Sequence, residues 1–183
     1  MLYYNHRFCY NVISKCLTIL KGGVIMRLPF FSQKAIRHAS VGDFKYQKKN
    51  PSAKRTLRMK SGGHGQENIA FLKKKKINHK IETEFENGVR LGHIPDHIRK
   101  PDRQNNGHAW FPAFWKRKDI KKAGEHVASL KKNKNPMDGQ RYTGRYKGVS
   151  VGIICRKNKI KTVFPNFDVN KDARKKTNVK TKK

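Results

Sequence analysis

The sequence predicts an α+β fold in which helices precede an antiparallel β-sheet. Three observations carry that reading. Alternating apolar stretches flank a strong turn pair, Asn87-Gly88, and a second turn, Arg156-Lys157-Asn158. Between them, Ile120, Ala123, Gly124, Val127 and Leu130 recur at helical spacing over Lys116 to Leu130. Lysine-rich runs without periodicity lie at both ends. A chain of 183 residues has room for one domain with basic extensions. The expected division is a poorly ordered basic segment over 1–56, a folded unit over 57–168 and a disordered basic tail over 169–183.

Residues 32–60 are polar and lysine-rich and read as a linker or disordered arm, with structure beginning near Lys60. After the Ser61-Gly62-Gly63-His64 turn, Gln66 to Lys75 suits a short helix with Ile69 and Leu72 or Phe71 inward. His64 would stand just before its N-terminus, where backbone N–H groups favour an anion. Lys80 to Phe85 alternates, with Ile81, Thr83 and Phe85 on one face. Val89 to Ile94 returns until Pro95 ends the strand and leaves His97 in the loop beyond. A polar loop through Lys100, Arg103 and Asn105-Asn106-Gly107 leads to Trp110-Phe111-Pro112 and then the long helix, in which Gly124 marks a close packing contact. The last hairpin has arms Tyr146 to Cys155 and Lys159 to Phe164. Val149, Val151, Ile153 and Cys155 share one face, as do Ile160, Thr162 and Phe164 on the returning arm.

The chain carries 44 Lys/Arg against 12 Asp/Glu, a net charge of +32. Residues 57–168 alone hold 26 basic and ten acidic residues, so the charge is not confined to the tails. Such a field draws polyanions without defining any chemistry. Cys9, Cys16 and Cys155 make neither a disulfide framework nor a CxxC pair, and Cys155 reads as a small core residue. The histidines match no common zinc spacing, so no metal or other cofactor is expected. The first 31 residues are apolar but broken by Arg7, Lys15, Lys21 and Arg27. Neither a run of roughly 20 apolar residues nor a clean signal-peptide pattern is present, so no membrane association is expected.

The chemistry-bearing residues are histidines among glycines, prolines and strand ends: Gly63-His64-Gly65, Gly92-His93, Asp96-His97 and Gly107-His108. Two imidazoles and a lysine beside a phosphodiester meet the needs of metal-free RNA cleavage. Each residue also has an ordinary structural reading. His64 suits a helix cap, His97 a solvated loop, Lys100 an exposed charge and Thr162 a plain strand position.

In order along the chain, Ser61-Gly62-Gly63-His64-Gly65-Gln66-Glu67-Asn68-Ile69, Asn87-Gly88-Val89-Arg90-Leu91-Gly92, Pro95-Asp96-His97, Trp110-Phe111-Pro112, Ala123-Gly124-Glu125-His126-Val127-Ala128, Gly148-Val149-Ser150-Val151-Gly152 and Ile160-Lys161-Thr162-Val163-Phe164-Pro165 resemble the bacterial EndoU-type nuclease domain found at the C-termini of polymorphic toxins. The resemblance runs from about Met59 to Asp168. It implies an EndoU-like nuclease fold and an endoribonuclease in which His64 and His97 are the catalytic histidines, Lys100 the lysine and Thr162 the hydroxyl residue of the final strand. His93 is the competitor to His97, because it directly follows a glycine; His93 and His108 both depart from the family pattern. The implied reaction is attack by the ribose 2′-OH, giving 2′,3′-cyclic phosphate and 5′-OH ends. The implied setting is a delivered toxin, a monomer acting on RNA (transfer RNA among the candidates) in a target-cell cytoplasm and countered by an immunity protein. Trp110, Tyr142 and Tyr146 are candidates for stacking on bases. The competing class is a basic RNA- or ribosome-binding protein without catalysis, or a degenerate nuclease.

Overall fold

A computed structural model of the chain describes residues 29–99, 107–133 and 135–166. The expected C-terminal tail, residues 1–28 and Lys100 lie outside the described residues. The fold is α+β, with helices and strands interleaved rather than helices first. In chain order the elements are β1 (Phe30–Phe31), α1 (Gln33–Ser40), β2 (Asp43–Gln47), β3 (Thr56–Ser61), α2 (Gln66–Lys74), β4 (Lys80–Glu84), β5 (Arg90–His93), β6 (His108–Trp110), α3 (Arg117–Ser129), a 3-10 turn (Lys131–Asn133), β7 (Arg141–Tyr146), β8 (Val149–Arg156) and β9 (Lys159–Pro165).

The stretch expected to be a linker is structured. The Ser32 side chain accepts the Ala35 amide at 3.2 Å and caps α1. Ala35, Ile36 and Ala39 form its buried stripe, while Arg37 and His38 complement the C-terminal end of its dipole. Two small alanines and one isoleucine in eight residues are too little apolar signal to stand out from the lysines around them. β2 and β3 then pair antiparallel, Phe44 opposite Met59. An arm ending at residue 56 is therefore corrected: order begins by Phe30, whose strand β1 pairs parallel to β9.

The main sheet runs β1-β9-β8-β7, and β4-β5-β6 form a second, antiparallel sheet. α3 follows its predicted stripe through Ile120, Ala123, Gly124 and Val127, buried against α1 and the main sheet, with Ala128 buried beside them and Leu130 only half-buried past the helix end. Tyr146 does not begin one long strand. Lys147 (φ 47°) and Gly148 (φ 76°) turn the chain, adding β7 to the sheet. A second turn at Lys157-Asn158 joins β8 to β9.

Two faces assigned by simple alternation are corrected by register shifts. In β9 the pairing steps from Ile154–Thr162 to Cys155–Ile160, leaving Lys161 as an extra residue. Ile160 and Val163 consequently both enter the core, whereas Thr162 and Phe164 share the opposite face. In β4 a shift between Ile81 and Thr83 leaves Ile81 40% exposed while Phe85 is buried. No helix among the described residues is long and apolar enough to cross a membrane.

The buried residues form two clusters. The larger joins α1, α3 and the main sheet; the smaller comprises Met59, Ile69, Leu72, Ile77, Ile94 and Trp110. Adjacent residues bridge them, Trp110 belonging to the smaller and Phe111 to the larger.

Gly124 is required by close approach: a Cβ there would lie 2.6 Å from Val163 Cγ2, a fully buried atom with nowhere to retreat. Gly124→Ala gains about 1 kcal/mol of helix propensity, but overpacking costs roughly 1–3 kcal/mol, so urea denaturation should show a net loss of stability. Burial, reinforced by Asp138, pushes the Cys155 thiol up to about 11. The folded chain thus retains a proton that the unfolded chain releases nearer 9, and this contribution to stability is lost as pH rises from about 9 to 11. At pH 8 Cys155 should resist alkylation until the protein is unfolded.

Candidate active site

The glycine-rich segment before α2 is held by the end of α1. The His38, Ala39 and Ser40 carbonyls, left over at the helix C-terminus, accept the amides of Gly63, His64 and Gly65 at 2.9, 2.6 and 3.0 Å. Gly63 adopts φ 73°, and a Cβ there would meet Asn68 Nδ2 at 2.4 Å, so only glycine fits. On the other side, the His64 carbonyl accepts the Phe111 amide at 2.7 Å. His64 is thereby fixed, half-buried, between α1, the start of α2 and β6.

Its imidazole has a defined tautomer. Nδ1 lies 2.8 Å from the Ala109 carbonyl oxygen, which can only accept, so in the neutral ring Nδ1 carries the proton and Nε2 does not. The ring stacks on His108, with centroids 4.9 Å apart and an interplanar angle of 5°. His108 is itself buried and lies 2.7 Å through Nε2 from the Gly63 carbonyl.

His97 comes to the same place from the loop after β5. That loop is pinned to β3 by the Ile98 amide donating to Met59 O at 2.8 Å and by the buried Arg58 donating through Nε to Asp96 O at 3.1 Å. The His97 ring lies 6.2 Å from His108 and is buried, not solvated. Its Nδ1 accepts the Arg99 amide at 3.1 Å, so the neutral ring carries its proton on Nε2.

His93 lies elsewhere. It pairs with Glu82 at 3.0 Å near the sheet surface. Its neighbour Gly92 is the residue opposite His108, so His93 projects from the other face of the sheet. Thr162 is half-buried on the same face as Phe164, whose ring lies 6.0 Å from His64. Lys100 lies outside the described residues, one position after Arg99.

Two site features were missed in the sequence. Trp110 is fully buried and cannot stack on a base, while Tyr142 and Tyr146 pack against the core. The aromatic ring next to His64 is instead Phe164, with the Arg141 guanidinium 5.0 Å above it. The contact arises because β7 is a strand, an element that sequence alternation did not reveal. His108 stands among the chemistry-bearing histidines of the sequence and departs from the family pattern, but its burial and its stacking on His64 have no sequence signal.

Buried polar groups support the cluster from beneath. His108 packs on Trp110 at 4.7 Å, and Trp110 Nε1 donates to Asn68 Oδ1 at 2.9 Å. Asn68 Nδ2 donates in turn to Val41 O at 2.7 Å, closing the path back to the end of α1. Arg90, buried beside α2, donates to Gln66 Oε1 and the Phe111 carbonyl at 2.7 and 2.6 Å. Burial lowers its pKa from the ordinary value, with Glu84 acting in the other direction. Among the described residues no group of three or more His, Cys, Asp or Glu is placed to hold a metal ion.

The glycine-rich segment thus gathers three imidazoles at the junction of the helices and the antiparallel sheets. The family model described as bacterial EndoU nuclease matches residues 32–166, and the chain belongs to that family. The match begins at the Ser32 cap, well before Met59, in keeping with α1 and β2 being parts of the domain. No curated protein and no solved structure matches the chain.

Asn68→Ala would strand both the Trp110 indole N–H and the Val41 carbonyl in a buried setting. A stability loss of roughly 2–4 kcal/mol is expected from the unpaired groups, measurable by thermal or urea unfolding.

Proposed function

We propose that this nuclease is an endoribonuclease that cleaves by attack of the ribose 2′-OH on the adjacent phosphate. The observation that carries the reading is the His64–His108–His97 cluster, with His64 anchored through Nδ1 so that Nε2 exchanges the proton. In the proposed reaction, His64 Nε2 takes the 2′-OH proton and the 2′-oxygen bonds to phosphorus. The bond from phosphorus to the 5′-oxygen breaks, and His97 in its protonated form gives that oxygen a proton. The products are a 2′,3′-cyclic phosphate and a 5′-OH. Protonating His97 at Nδ1 displaces the Arg99 amide, so the acid role is coupled to a shift of the Arg99 backbone.

Lys100 supplies the fixed cation for the phosphate oxygens and Thr162 a hydrogen bond, with Arg141 adding positive charge from β7. The Arg141 guanidinium, lying over the Phe164 ring, offers its outer plane to a base, in the manner of single-stranded RNA recognition. The charge of +32 draws the substrate in a salt-dependent way that is separate from catalysis. The family supports a toxin role: a monomer delivered into a target cell, acting on single-stranded or transfer RNA in its cytoplasm and held in check by an acidic immunity protein.

The test is a short labelled uridine-containing RNA incubated with the protein in EDTA, with analysis of the fragment ends. Wild type should leave 2′,3′-cyclic phosphate and should not cut the matching DNA, which lacks the 2′-OH. His64→Ala should lower the rate by at least roughly 10²-fold while binding RNA with unchanged salt dependence. Bound but intact RNA in the wild-type reaction would favour a non-catalytic RNA-binding protein or a degenerate nuclease.

A further inference from the structure

His108 is the ring common to both candidate catalytic histidines, 4.9 Å from His64 and 6.2 Å from His97. Its own contacts are those of a clasp. His64 Nδ1 donates to the carbonyl of Ala109, the residue after His108, while His108 Nε2 lies 2.7 Å from the carbonyl of Gly63, the residue before His64. Each imidazole thus bonds the other's backbone, and the two rings lie nearly parallel between these bonds. Carbonyl oxygens only accept, so the geometry requires opposite tautomers, Nδ1–H on His64 and Nε2–H on His108. Trp110, locked by Asn68, backs His108 on its far side. All three of these supporting residues are buried.

We propose that His108 is a positioning residue for His64: its Nε2–H holds the Gly63 carbonyl, its ring sets the plane of the His64 imidazole, and together they keep His64 in the tautomer that leaves Nε2 to exchange protons. The inference rests on the reading of His64 as the proton-accepting group. A reacting imidazole must be held in one plane and one tautomer, and small misplacements cost rate rather than affinity. His108 touches no substrate; it acts through His64.

The test has a spectroscopic arm and a kinetic arm. Long-range 1H–15N spectra of the wild-type protein near pH 8, where free imidazole is neutral, should show His64 as Nδ1–H and His108 as Nε2–H. The reverse tautomer at either residue would overturn the proposal. His108→Phe keeps a ring but removes the donor. With the uridine-containing RNA as probe, its kcat should fall on the order of 10²-fold while KM stays within about twofold, and His64 should no longer show a single tautomer. His108→Gln places an amide N–H where Nε2 stood and should recover kcat to within about tenfold of wild type.

A Phe variant with wild-type kcat and an intact His64 tautomer would refute the positioning role. If the Phe variant fails to fold, the Gln variant decides: a folded protein as inactive as His64→Ala would mean that the His108 ring itself does chemistry. Should His64→Ala cleave as well as wild type, the catalytic reading of His64 fails. The tautomer of His64 in the His108 variants still decides whether His108 positions it.

Discussion

The site depends on how the end of one short helix is satisfied. An α-helix leaves its last carbonyls without intrahelical partners, and buried carbonyls need donors. Here the donors are the consecutive amides of Gly63, His64 and Gly65, which meet His38, Ala39 and Ser40. The bonding works in both directions. It terminates α1, and it holds the backbone of His64 from one side while the Phe111 amide holds its carbonyl from the other. Without α1, the glycine-rich segment would have no template, and the chain's least constrained residue types would carry its most demanding side chain.

Below that backbone frame, hydrogen bonds from Asn68 to Val41 and from Trp110 to Asn68, then ring contacts from Trp110 through His108, lead to His64. Each member is paired, which is what makes such a path rigid rather than costly. It also runs along the junction of the two hydrophobic clusters, where Trp110 enters one and Phe111 the other. The site is therefore anchored in both halves of the core, with β6 as the shared element. The loop bearing His97 is tied to the same region through β3, by Arg58 and Ile98.

Charge and chemistry are separated in this molecule. The net charge of +32 favours polyanions without regard to sequence, and the lysines among the described residues are exposed or half-buried. The His64, His97 and His108 imidazoles sit half-buried or buried, each bonded to a backbone carbonyl or amide. His38 and His93, which pair with Asp43 and Glu82, stand outside the cluster.

The sequence by itself determined the elements whose signals are local and repeated. α3 is legible because Ile120, Ala123, Gly124, Val127 and Leu130 recur at helical spacing, and the two hairpin turns because Gly88 and Asn158 tolerate the positive φ they adopt. The family was also readable, since motif order along a chain survives without knowledge of packing. Only tertiary structure decided the rest. α1 has too few apolar residues to announce itself, and its stability comes from packing on α3 and β9. The register shifts in β4 and β9 overrode alternation because one extra residue reverses every face that follows. That His97 lies beside His108 while His93 projects from the other face, and that His108 stacks on His64, turned on which face of β5 and β6 meets the glycine-rich segment. That is a pairing between distant parts of the chain, and no local pattern encodes it.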